Sequence, residues 1–126
     1  MLSDAAVVYS NKVYLFGIGI NDHRHYMNTF DGANWTGWSV VPGGGTTMLS
    51  DAAVVYNNKV YLFGIGINDH GHYMNIFDGT NWTGWSAVPG GGTTEAPDSA
   101  VVYNEKVYLF GIGIFDKHHY VNVLGG

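Results

Sequence analysis

Three short polar stretches recur at a spacing of 47 residues: Asn21-Asp22-His23-Arg24-His25-Tyr26, Asn68-Asp69-His70-Gly71-His72-Tyr73 and Asp116-Lys117-His118-His119-Tyr120. Asp22, His25 and Tyr26 return unchanged as Asp69, His72 and Tyr73, and again as Asp116, His119 and Tyr120. These side chains donate and accept hydrogen bonds in fixed directions, and an aromatic ring offers the flat apolar face on which the C–H side of a sugar can rest. Two W-x-G-W segments, Trp35/Trp38 and Trp82/Trp85, add further rings. These thirteen positions are the candidate ligand-binding residues. A purely structural role competes at each: the aspartates cap a turn, and the histidines and tyrosines fill space between sheets. Tryptophans three apart on a strand point to opposite faces unless Gly37 marks a bulge, so one of each pair is expected in a pocket and the other in packing.

Other chemistries find less support. His23 and His25, like His70 and His72, are two apart on an extended segment, a spacing that can hold a divalent metal. Lys117 breaks the pair in the third repeat and no third ligand of fixed spacing follows, so no metal site and no cofactor are expected. Glycoside hydrolysis needs two carboxylates about 5 to 10 Å apart. Here the carboxylates repeat alike in every unit, whereas a single catalytic site breaks such symmetry, so no enzyme is expected.

The elements that must position these residues are written in the repeat itself. Met1 to Thr47 and Met48 to Thr94 differ only at Ser10/Asn57, Arg24/Gly71, Thr29/Ile76, Ala33/Thr80 and Val40/Ala87, and residues 95–126 restart the same text. Within a unit, Ala5 to Tyr9 and Val13 to Ile20 are apolar and β-branched runs joined by Ser10-Asn11-Lys12, a hairpin pattern. His25 to Phe30 and Trp35 to Val41 flank Asp31-Gly32, a second hairpin signal, before Pro42-Gly43-Gly44-Gly45 breaks the chain. Each repeat therefore reads as a four-stranded antiparallel meander, strands A to D. Continuous apolar runs such as AAVVY imply that both sheet faces are covered. A repeat of this length built of short strands is the pattern of a β-propeller blade, which buries its faces only against neighbouring blades. The expected fold is all-β, with blade 1 over residues 1–47, blade 2 over 48–94 and a third, truncated blade over 95–126 carrying strands A to C.

Composition agrees. Apolar residues make up 46%, aromatic residues 15% and charged residues 12%, with 19 glycines, the balance of a β-rich globular chain. No run of about 18 apolar residues could span a bilayer, and the start lacks the basic region and apolar core of a signal peptide. Neither membrane insertion nor a cellular location is read from the sequence. A net charge of −5 leaves no basic face for nucleic acid. Without cysteine there is no disulfide or thiolate metal site. Met48-Leu49-Ser50-Asp51 repeats Met1-Leu2-Ser3-Asp4, which points to in-frame duplication of a unit carrying its own start, in nature or in the laboratory.

Three units fall short of a ring, since closed propellers have about four to eight blades. Two chains in head-to-tail register would supply six, and three chains would supply nine, above that range; a homodimer is the expected partner arrangement. An open monomer would leave two large apolar faces in water.

The succession AAVVY, KVYLFGIG, HYMNTFDG and NWTGWSVVPGGG resembles the blade of the bacterial PLL-type β-propeller lectins, seven-bladed sugar binders with repeats of similar length ending in W-x-G-W and a glycine-rich link. The likeness covers essentially the whole chain, and its most specific parts are Asp31 to Trp38 and Asp78 to Trp85. It implies binding of fucose or related, sometimes O-methylated, monosaccharides in pockets between adjacent blades. The expected function is that of a non-catalytic lectin whose weak repeated sites gain strength by multivalency. The alternative is a self-assembling scaffold that has kept the fold without a ligand.

Overall fold

A computed structural model describes every residue except Met48 and Gly126, so the first residue of the second repeat and the last of the third lie outside the described residues. The described chain is all-β, with three antiparallel sheets ordered β1-β2-β3-β4, β5-β6-β7-β8 and β11-β10-β9. The first sheet comprises β1 (Asp4–Tyr9), β2 (Lys12–Ile18), β3 (His25–Phe30) and β4 (Ser39–Val40). In the second, β5 (Ala52–Tyr56), β6 (Lys59–Ile65), β7 (His72–Phe77) and β8 (Ser86–Ala87) repeat that layout. The third has β9 (Ser99–Tyr103), β10 (Lys106–Ile112) and β11 (His119–Leu124).

The first hairpin of each sheet turns through two residues of positive φ: Ser10 and Asn11, Asn57 and Asn58, Asn104 and Glu105. That is the backbone of the tight turn whose twist matches the flanking strands. The second hairpin is wider than a two-residue Asp-Gly turn. Asp31 Oδ1 accepts from the Ala33 and Asn34 amides at 2.8 Å each, and the strands resume at the Phe30–Trp35 bridge. Asp78 makes the same cap on Thr80 and Asn81.

The fourth strand is much shorter than the seven-residue run that the sequence suggests. It is confined to Ser39–Val40 and Ser86–Ala87, because Gly37 (φ 91°) and Gly84 (φ 88°) leave the β region just before it. This break also resets side-chain alternation. Trp82 packs edge-on to Phe16 and Trp85 stacks on His25, so both tryptophans of the second sheet turn toward the first, not to opposite faces.

The sheets stack through their first strands, β1 on β5 and β5 on β9, and among the described residues no contact joins β9 back to β1. Two cores result. Tyr9, Phe16, Val41, Val60 and Leu62 lie between the first and second sheets; Ala52, Val54, Phe63, Val88, Val107 and Leu109 lie between the second and third. The paired strands alternate strictly. Tyr14, Phe16, Ile18 and His25 face the next sheet in the chain, and Val13, Leu15, Gly17, Tyr26 and Asn28 face the preceding side. Burying a Phe or Leu in such an interface stabilises by about 1.5–3 kcal/mol per side chain, which makes the stack, not any single sheet, the folding unit.

Candidate functional site between adjacent sheets

A cavity of about 260 Å3 opens between the first and second sheets. The first sheet contributes His25, with Gly45 and Thr46 of the glycine link; the second contributes Gly64 to Asp69, Tyr73 and Trp85. A cavity of about 390 Å3 occupies the equivalent place between the second and third sheets, lined by His72, Gly90 to Thr93, Asp116 and Tyr120.

His25 is the pivot of the first cavity. It is 2% exposed, and its Nδ1 lies 2.7 Å from Asp51 Oδ2, which is itself buried. The contact fixes the ring so that its other edge lies over Gly64, where a Cβ would sit 2.9 Å from the imidazole Cε1. Glycine is required there by close approach. Burial pushes the Asp51 carboxyl up from its ordinary range, with the hydrogen bond and charge of His25 pulling the other way. His72 and Asp98 repeat the pair at 2.8 Å, and burial likewise pushes Asp98 up. In both pairs the second carboxylate oxygen is buried without a partner among the described residues.

Trp85 forms a wall. Its ring centroid lies 4.2 Å from that of His25 at 30°, and its Nε1 donates to the Gly44 carbonyl at 2.9 Å. That bond crosses from the second sheet to the link of the first and holds the indole against the cavity. Asp69 and Tyr73 form the rim. Asp69 Oδ1 accepts from the Gly71 amide at 2.9 Å, and Oδ2 accepts from the Tyr73 hydroxyl. The Tyr73 hydrogen bond, then that amide, holds the Asp69 carboxyl below its ordinary range, and the same bond pushes the Tyr73 phenol up. Asp22 with Tyr26, and Asp116 with Tyr120, make the same pair.

Beneath the cavity, Thr47 accepts from the Ile65 amide at 3.0 Å and donates to the Leu49 carbonyl at 2.9 Å, tying the link to the second sheet. Asn75, fully buried, donates to the Pro42 carbonyl and accepts from the Gly84 amide, clamping the glycine break of its own sheet to its neighbour's link.

The thirteen candidate residues are thus distributed unevenly. His25, Asp69, Tyr73 and Trp85 converge on the first cavity. His72, Asp116 and Tyr120 meet at the second, where no tryptophan is among the described lining residues and Phe115 stands in the place of Asn68. Trp82 lies in packing between Phe16 and Phe77, its Nε1 buried without a partner among the described residues. Trp35 stacks on Phe30. Asp22, Tyr26 and Trp38 lie on the outer side of the first sheet, and His119 on that of the third. The recurring residues therefore do not form one site per repeat: each cavity takes its histidine from one sheet and its aspartate and tyrosine from the next, and the first cavity takes a tryptophan there as well.

Sequence reasoning missed Asp51 and Asp98, although an aspartate at the start of an apolar strand in all three repeats (Asp4, Asp51, Asp98) was visible in the sequence. It also missed the link residues Gly45 and Thr46. The two imidazoles of each H-x-H segment have separate duties. His23 and His70 reach the Thr47 and Thr94 carbonyls at 3.2 Å, while His25 and His72 hold the buried carboxylates. Lys117, at the matching place in the third repeat, pairs instead with Glu95 at 2.5 Å. No family model, curated protein or solved structure matches the chain.

Proposed function

We propose that the chain is a non-catalytic carbohydrate-binding protein, a partial β-propeller lectin with its sites between adjacent blades. The observation that carries this reading is the composition of the first cavity: an indole wall (Trp85), a rim of Asp69 and Tyr73, an imidazole edge and a floor of glycines. That combination suits a pyranose, whose C–H face stacks on an aromatic ring while its hydroxyls take directed hydrogen bonds. At about 260 Å3 the space is at the small end for ligand pockets and fits a monosaccharide in preference to a long chain. The resemblance to PLL-type lectins favours fucose or O-methylated sugars. Repetition of the site favours binding by multivalency, in which weak single sites become tight on a surface crowded with the sugar.

A second reading, a scaffold without ligand, has its own support: both Asp69 oxygens and the Trp85 Nε1 are already engaged within the protein. A glycan array that includes fucosylated and O-methylated sugars separates the two. Selective signal competed by the free monosaccharide is the expected result. A blank array from a folded sample would overturn the lectin reading and leave the scaffold.

A further inference from the structure

The outer faces of this stack are the two halves of an interface that the chain already builds twice. The side of the third sheet turned away from the second carries Tyr103, Phe110 and His119. Tyr103 is 70% exposed where its counterpart Tyr9 is 6%, and Phe110 is 39% exposed where Phe16 and Phe63 are fully buried. His119 is exposed and has no hydrogen-bonding partner among the described residues, whereas His25 and His72 each hold a buried aspartate. On the outer side of the first sheet, Val13 and Leu15 are half-buried where Val60, Leu62, Val107 and Leu109 are buried, and Trp38 is 42% exposed. Asp4, counterpart of Asp51 and Asp98, is exposed there as well.

We propose that a second copy of this chain docks the outer side of its first sheet on the outer side of this third sheet, and that the junction forms a composite pocket from both copies. The pairings follow from those inside the chain. His119 meets Asp4 of the other copy as His25 meets Asp51, and the Tyr103 hydroxyl donates to the Asn11 carbonyl as Tyr9 donates to that of Asn58. Trp38 of the other copy then stacks on His119 as Trp85 does on His25, with Tyr26 and Asp22 as the rim. The floor is Gly17, counterpart of Gly64. In the single chain the Met1 side chain lies over Gly17, where His25 lies over Gly64 and His72 over Gly111. Docking moves this terminal side chain aside and puts an imidazole in its place.

The contact is head-to-tail, and two such junctions close a ring of two copies and six sheets, within the range of about four to eight that such rings use. A pocket lining that neither copy owns makes ligand binding at this place dependent on assembly. Its ligand class, a monosaccharide, rests on the function proposed above; the junction itself does not.

Light scattering on the 126-residue chain tests the junction directly. The expected mass is twice 13.7 kDa, and any other mass overturns the two-copy ring. Phe110→Asp places a charge on a face that joins neither core cluster among the described residues, so it should halve the mass with the far-UV circular dichroism unchanged. Acrylamide should then quench the tryptophans more strongly, because Trp35 and Trp38 become uncovered. A folded Phe110→Asp variant that keeps the full mass overturns the proposed docking face. Titration with methyl α-L-fucoside reads the composite pocket: Trp38→Ala should remove one site per chain from a sample of unchanged mass, and an unchanged site number overturns that pocket. If the wild-type ring binds no fucoside anywhere, the carbohydrate reading fails and the mass measurements still decide the junction.

Discussion

His25 of the first sheet and Asp51 of the second form a buried pair 2.7 Å apart, the only acid–base pair that crosses this interface among the described residues. The second sheet receives the first sheet's histidine on Asp51 and gives its own His72 forward to Asp98 of the third. The pair thus sets register between sheets and aims the imidazole edge into the cavity in one arrangement.

The buried carboxylates should make stability fall as pH rises from acid to neutral. Burial raises Asp51 and Asp98 in the folded chain above the ordinary 3.8, so the folded state holds those protons longer than the unfolded state does. Their stabilising contribution is therefore complete below the unfolded value and is lost as pH climbs through the raised folded values. The variant Asp51→Asn/Asp98→Asn keeps an oxygen to accept from the imidazole but cannot ionise. Thermal melts of both proteins from pH 3.5 to 7.5 should show the wild type losing ground to the variant as pH increases. A constant difference would mean that the carboxylates ionise equally in both states.

Gly84 has φ 88° with open space where a Cβ would stand, so Gly84→Ala tests the backbone alone. Forcing alanine into this region costs at least about 1 kcal/mol. Urea denaturation should register that loss. Relaxing φ toward the β region would instead restore strand alternation and swing Trp85 out of the cavity, which its fluorescence would report.

The strands were legible in the sequence and the site was not, for one physical reason. Tight turns and apolar runs are local, so β1 to β3 and their repeats fall within one or two residues of the expected bounds. The neighbours His25 and Tyr26 look like one cluster in sequence, yet on a strand adjacent side chains leave by opposite faces. They therefore serve different cavities, and the true grouping joins His25 to Tyr73, a full repeat further on. The turn of both Trp82 and Trp85 to one face depends on the positive φ of Gly84, a tertiary choice that the sequence offers only as a bulge at a glycine.

Gly64→Ala should close the first cavity from below. The new methyl would stand 2.9 Å from the His25 ring and 3.3 Å from the Asp51 carboxylate, and the buried pair cannot retreat without breaking its hydrogen bond. Overpacking of this kind costs about 1–3 kcal/mol. Calorimetric titration with the sugar selected on the array should lose the site at this cavity, while the melt shows a lower midpoint. Retained binding with full site number would place the ligand elsewhere.

The two tryptophans of the second sheet should respond differently to replacement by phenylalanine. Trp82 lies between Phe16 and Phe77, and its Nε1 is buried with no partner among the described residues, a group that costs about 1–3 kcal/mol to desolvate. Trp82→Phe removes that N–H and leaves a smaller ring in an apolar slot, so the two effects offset and stability should change little, with sugar binding intact. Trp85→Phe loses a satisfied bond to the Gly44 carbonyl, and the indole face that walls the cavity shrinks. Stability should fall by about 0.5–1.5 kcal/mol for the hydrogen bond, and affinity at this site should fall with it. Denaturation and titration of the two variants side by side separate packing from recognition. Equal losses of affinity in both would show that Trp82, not Trp85 alone, meets the ligand.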